Sequence, residues 1–477
     1  MRFRIENNSV DVILYYISYI ARCVTYALRG SNYLITNFKN KHIRNVTIIY
    51  ILTLFLVTSV NSSVTQDSSV FVSEAVESQL EQFMADGEIP SMQDAIIEDN
   101  EIKYAKGFGN QTDLDTVFMI GSMQKMFTSC CIMQLVEDGA IGLDDDVDNY
   151  LPYNITHPDY PDIPITPRML LSHRSGLDRE VYYLFCWDTQ GLLYPEYKSV
   201  YNSAIVEMTI GEFMENTFIP GGIGYTSDIW QFEPGTDYGY SSVGYHVLKH
   251  LIEVLSGTTY DQYMQEHILT PMGMTNTGFN SSLFEHHSIP YIRHKSTNHE
   301  FMIWDGNLIM RSTATDMAKF LLMHINGGTY NGVQILESET IDEMRKIQSS
   351  VTYSAYGLDN LGYGLALHSY AGEIYGHSGS SVGGIGVVFY NPSTQRGLVH
   401  LQNLNHVGQY NMTDVDFVNE YFGKIVSYML DVASIKPVLS IRQILLCIVA
   451  GGVTVVIVTQ IYRRRKSTTE QPTLQEA

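Results

Sequence analysis

Basic charge is scarce in this chain: 29 Lys and Arg stand against 51 Asp and Glu, a net charge of −22. A chain so acidic repels a phosphate backbone, which argues against nucleic acid as a partner. Cysteine is scarce as well. The five residues Cys23, Cys130, Cys131, Cys186 and Cys447 include no C-x-x-C pair and none beside histidines at ligand spacing, so a structural zinc site is not indicated. Cys130 and Cys131 lie in an apolar helical stretch and read as small buried side chains, with one disulfide from either of them to Cys186 left open. No internal repeat or low-complexity tract is present, and charged residues make up only 17% of the chain. What remains is 45% hydrophobic and 12% aromatic, the composition of a globular protein with added membrane segments. A length of 477 residues implies one large domain or two lobes with appendages.

Two apolar runs supply the membrane segments. Near the C-terminus an uncharged stretch from Gln443 to Tyr462 is followed at once by Arg463, Arg464, Arg465 and Lys466. About 20 apolar residues are needed to cross a bilayer, and the basic cluster keeps its side cytoplasmic. The expectation is a transmembrane helix over 441–462, contacting membrane lipid, and a cytoplasmic tail over 463–477. After a leader at 1–45, the run 46–61 follows Lys39, Lys41 and Arg44 and reads as the core of a signal peptide or as an uncleaved anchor. Either reading places the intervening residues outside the cytoplasm. Sequons at Asn61, Asn110, Asn154, Asn280 and Asn411 are compatible with that placement.

Between the two runs, 61–69 is a polar linker and 71–87 has the period of an amphipathic helix. Two strand-like runs then flank Asp99-Asn100, predicting a hairpin. Residues 121–300 are rich in helical patterns broken by Gly and Pro, and 360–400 returns to strands. Strands at both ends with helices between them predict a sheet closed by distant segments, with a helical lobe inserted.

The chemistry is concentrated in "FMIGSMQKMFTS" (118–129). Ser122 and Lys125 are three apart, so on a helix they share a face and the lysine reaches the hydroxyl. Their neighbours Phe118, Met119, Ile120, Met123, Met126 and Phe127 are apolar. An ammonium against apolar walls loses proton affinity, and the neutral amine that results can take the proton of a serine nucleophile. S-x-x-K is a weak pattern by itself and occurs here once. It is accompanied by "LLSHRSGL" (170–177), "EPGTDYGYSSVGY" (233–245), "PMGMTNTGF" (271–279) and "GHSGSSVG" (376–383).

In type and order these elements resemble the serine β-lactamase and penicillin-binding-protein-like superfamily, in its class C-related, D-aminopeptidase and esterase branch, over about residues 75–430. The resemblance implies an α/β fold of the α+β type, over 70–435, in which an antiparallel sheet flanked by helices carries an inserted all-helical lobe and the active site lies between the two. It implies that Ser122 is acylated, that Lys125 activates it, and that Tyr240 passes a proton to the leaving group. Ser242 fills the place usually held by an asparagine that contacts lysine and substrate. His377, Ser378 and Gly379 match a K-T-G-like triplet, and the backbone N–H groups of Ser122 and Ser380 form the oxyanion hole.

Two departures shape the expected function. Ser242 makes a shorter contact than an amide would, and His377, only partly charged near neutrality, makes a weaker and pH-dependent anchor for a substrate carboxylate. A dedicated antibiotic-degrading enzyme is therefore disfavoured. The expectation is a membrane-tethered, extracytoplasmic serine hydrolase acting on small-molecule, peptide or ester substrates without a cofactor or metal. The alternative is a sensor or scaffold that keeps the fold without turnover. The long aromatic connection after "SHRSGL", including Tyr182, Tyr183 and Trp187, is read as a cap over the site or a packed insertion.

Overall fold

The computed structural model describes residues 74–433 apart from 111, 179–207, 223–224, 295, 301–309, 352, 356–357, 371–372, 382 and 407–411. The leader, the run 46–61, the expected transmembrane helix 441–462 and the tail lie outside the described residues, as do Tyr182, Tyr183, Trp187 and Cys186. Among the described residues no helix is long and apolar enough to cross a membrane.

Helix α1, Glu74–Asp86, opens with Glu74 and Glu77, whose charges complement the positive end of the helix. Leu80 and Met84, one turn apart, are buried. The hairpin follows as β1, Ser91–Glu98, and β2, Glu101–Gly109. Its two-residue turn holds Asp99 at φ +50° and Asn100 at φ +63°. Such turns need positive φ at both central residues, and Asp and Asn tolerate it better than other side chains. All eight residues of β1 are buried, as in a strand covered on both faces. At the sheet's edge β2 carries Lys103 and Lys106, which discourage further pairing.

Helix α2, Gln124–Glu137, is apolar around most of its circumference: Met126, Phe127, Cys130, Cys131, Ile132, Met133 and Leu135 are all buried. A helix of that kind can sit only inside other elements. Cys130 and Cys131 are free thiols. Helix α3, Ser242–Ser256, starts where the Ser241 hydroxyl accepts the Gly244 N–H at 3.2 Å and stops at Gly257, whose φ of +71° closes the last turn. Helix α4, Ala314–Ile325, lies on the sheet, and its Phe320 stacks on Phe127 of α2 with centroids 3.9 Å apart. That stack joins the sheet layer to the helical cluster.

The other strands of the large sheet are β3 (Tyr353–Ala355), β4 (Leu358–Tyr363), β5 (His368–Tyr370), β6 (Ile374–Ser381), β7 (Gly384–Asn391) and β8 (Arg396–Gln402). The 8-stranded sheet runs β2-β1-β8-β7-β6-β5-β4-β3, with antiparallel pairing throughout. Closure falls between β1 and β8, where Asp94 faces His400 and their Oδ1 and Nδ1 atoms lie 2.8 Å apart, fully buried. The final helix α5, Met412–Val432, packs with α1 on the sheet, and Phe422 lies against His400. This is the mixed α/β architecture, with an antiparallel sheet flanked by helices, that the sequence leads one to expect.

Candidate active site

Ser122 sits on a tight 3-10 turn, Gly121–Met123, that leads directly into α2. The turn lies backbone to backbone against β6. Gly121 has φ +51°, and a Cβ there would come within 2.7 Å of the Ser380 nitrogen; a Cβ on Gly379 would come within 1.9 Å of the Ile120 carbonyl oxygen. Glycine at both positions lets the serine-bearing turn and the strand approach more closely than side chains permit. The backbone of Ser380 is thereby brought beside the Ser122 turn.

In the first turn of α2, three residues after Ser122, Lys125 is only 4% exposed. Its Nζ donates to Ser122 Oγ at 3.3 Å and to Ser242 Oγ at 3.5 Å. The ring centroids of Tyr240 and Tyr245 lie 5.0 Å and 5.3 Å from the same nitrogen. Two strand-distant segments, the start of α2 and the start of α3, thus converge on a single amine. His246, one turn along α3 from Ser242, is buried with Nδ1 2.9 Å from the Ser242 carbonyl. Burial pushes its pKa down to about 3, helped by the charges of Lys249 and Lys125. His246 therefore adds no charge beside Ser242, and the Lys125 amine is within reach of Ser122.

His377 on β6 is 1% exposed, and both of its ring nitrogens are engaged. Nδ1 lies 2.5 Å from the Ser378 carbonyl and must donate, so Nε2, 3.1 Å from Tyr363 Oη, accepts from that hydroxyl. Burial, then the neighbouring His368 and Lys125, hold its pKa well below the ordinary histidine value. The partly charged imidazole expected from the sequence is corrected to a neutral ring inside the wall, because desolvation outweighs any benefit of the charge. Ser378 is half-buried, Gly379 is buried under the turn, and Ser380 is exposed at the strand end. The structure gathers Ser122, Lys125, Tyr240 and Ser242 at one point and sets Ser378, Gly379 and Ser380 beside them on β6.

A sequence model of the family described as Beta-lactamase matches residues 76–421. The chain belongs to this family. Penicillin-binding protein 4 of Amycolatopsis lactamdurans is 26% identical over 294 residues, covering 58% of this chain and 70% of that protein. The octameric penicillin-binding protein homologue from Pyrococcus abyssi superposes with a TM-score of 0.58 at 28% identity, covering 69% of this chain and 72% of that one. A D-stereospecific amidohydrolase from Streptomyces sp. shares the fold with a TM-score of 0.55 at 22% identity, covering 72% and 97% of the two chains. These place the beta-lactamase-family domain in the serine β-lactamase and penicillin-binding-protein-like superfamily.

Several residues around the site of this family member carry no role in the sequence reading. Asn405 is buried and donates from Nδ2 to Ser380 Oγ at 2.8 Å and to the Ser381 carbonyl at 2.6 Å, fixing the end of β6. Tyr363 supports His377, and the carbonyl of Leu171 accepts from the Tyr245 hydroxyl at 2.7 Å. His246 could have been found from its spacing, four residues after Ser242 on the same helical face. Asn405 could not, since its partners are largely backbone carbonyls and leave no side-chain pattern.

Proposed function

We propose that this protein is an exported, membrane-tethered serine hydrolase that cleaves amide or ester bonds through an acyl-enzyme on Ser122. The observation that carries the reading is the buried amine of Lys125, 4% exposed and within hydrogen-bond reach of the Ser122 hydroxyl at 3.3 Å. In the neutral form Lys125 takes the Ser122 proton as Oγ attacks the substrate carbonyl. The backbone N–H groups of Ser122 and Ser380 bind the oxyanion, which stabilises the tetrahedral intermediate more than the ground state. Tyr240 donates a proton to the departing amine or alkoxide, and a proton returns to it from Lys125. Water then attacks the acyl-enzyme, losing its proton to the same pair of residues, which pass a proton to Ser122 Oγ as the acyl–oxygen bond breaks and the acid is released.

A neutral, buried His377 offers no charge to a substrate carboxylate, so the reading favours amides and esters over carboxylate-anchored β-lactams. The similarity to a D-stereospecific amidohydrolase adds amides of D configuration to the candidates. Tethering and export rest on the apolar runs 46–61 and 441–462 and the basic cluster after the second. The sequon residues Asn110, Asn154 and Asn280 are exposed, as glycosylation outside the cytoplasm would require. The 3.5 Å contact of Ser242 with Lys125, long for the residue that replaces an amide, also suits a sensor that acylates without turnover.

A fluorescent acylating probe, followed by a chase and by a panel of D-amino-acid amides, short-chain esters and a chromogenic cephalosporin, tests both readings. Labelling that is lost with time and is absent in Ser122→Ala supports the hydrolase. Permanent labelling supports the sensor, and equal labelling of Ser122→Ala removes both.

A further inference from the structure

The element "LLSHRSGL" stands beside the site but has no part in the steps above. Its histidine, His173, is 1% exposed and holds φ at +58°, in the left-handed region that residues other than glycine seldom adopt. What it touches is the segment carrying Tyr240. The His173 carbonyl accepts the N–H of Gly239 at 2.9 Å, and its Nδ1 accepts the N–H of Ser241 at 3.1 Å. Its ring lies against the Tyr240 ring with centroids 4.2 Å apart and planes at 37°. Tyr245 and Tyr363 back the imidazole with centroids 5.1 Å and 5.0 Å away. The residues before and after Tyr240 are thus tied to one residue whose side chain also supports the phenol. Because Nδ1 accepts, a neutral ring carries its hydrogen on Nε2.

We propose that His173 is a positioning residue for Tyr240, clamping the phenol in the orientation that hands a proton to the leaving group. The inference rests on the hydrolase reading, in which Tyr240 has that task. The left-handed backbone is part of the clamp: it turns the carbonyl and the imidazole of one residue toward the same segment.

Leaving-group dependence separates this role from a merely structural one. A nitrophenyl ester departs without a proton, whereas an alkyl ester or amide of the same acyl group needs one. The deletion variant is His173→Gly, since glycine accepts the left-handed backbone, with His173→Ala as a second deletion should the first not fold. Asparagine tolerates that backbone and carries an acceptor at the same remove from Cα as Nδ1, so His173→Asn is the conservative variant. In the full-length protein, deletion should lower kcat/KM for the alkyl ester and amide by about 100-fold, the low end of general-acid contributions, and change the nitrophenyl ester by less than about threefold. His173→Asn should recover most of the loss, and deletion combined with Tyr240→Phe should be no worse than Tyr240→Phe alone. Equal losses on both substrate types, or full additivity with Tyr240→Phe, overturn the clamp while leaving the hydrolase standing. A wild-type protein that hydrolyses none of these substrates, or a Ser122→Ala variant that hydrolyses them equally well, overturns the hydrolase reading and the clamp with it.

Discussion

At the scale of single residues the site depends on where one amine is kept. Lys125 is buried with its Nζ within reach of two hydroxyls and close to two aromatic rings, so one side chain links the start of α2 to the start of α3. Lys125→Met fills the same apolar volume without the base. Acylation measured with the fluorescent probe should fall by about 10²–10⁴-fold, the usual contribution of a positioned base. The melting temperature should hold or rise, because an apolar replacement leaves no stranded charge. A variant that labels at the wild-type rate would remove Lys125 from the mechanism. The sequence singles out Ser122 and Lys125 by their spacing and apolar neighbours and Tyr240 by the family resemblance, and the structure brings the three together. His173 and Asn405 were not legible there, since each acts through main-chain groups far away in the chain, and no side-chain pattern records such contacts.

Among elements, the decisive contact is the 3-10 turn against β6. A methyl group on Gly379 would sit 1.9 Å from the Ile120 carbonyl oxygen, and backbone on both sides leaves it nowhere to go. Gly379→Ala should therefore displace the serine-bearing turn, lowering probe labelling and costing about 1–3 kcal/mol of stability by overpacking. Gly423→Ala is the matched control. That glycine lies in α5, where an added methyl would meet nothing within 4 Å, so the change should be neutral or stabilise by up to about 1 kcal/mol. Equal melting temperatures for the two variants would remove the close approach as a determinant. The hairpin and its Asp99-Asn100 turn were readable locally, because φ preference and alternation are local properties. The charge state of His377 was not, since it is set by burial against Tyr363 and His368, which only the assembled sheet provides.

For the molecule as a whole, buried histidines dominate the response to acid. Burial holds His246 and His324 at about 3 and His368 at about 4, against an ordinary value of 6.5. Unfolded, each would bind a proton near 6.5, so their contribution is complete above that pH and is lost as pH falls toward about 4 for His368 and about 3 for His246 and His324. Within that window each group removes up to ~1.4 kcal/mol per pH unit. Asp261, raised to about 6 by burial, works in the opposite sense, as do Asp148 and Glu253, but among the described residues His157, His250 and His377 are held low as well and add to the three above. The melting temperature should therefore drop steadily from pH 6.5 to 5 at constant ionic strength, and a flat profile would contradict the burial described. The junction of β1 with β8 has a separate consequence, for biosynthesis. Asp94 and His400 are 306 residues apart, so the first hairpin leaves the ribosome long before its neighbour exists. Until then β1, buried along its whole length in the finished protein, shows an unpaired edge that invites aggregation, and such distant pairing forms slowly. Nascent chains halted before residue 396 should consequently require chaperone protection that the released protein does not.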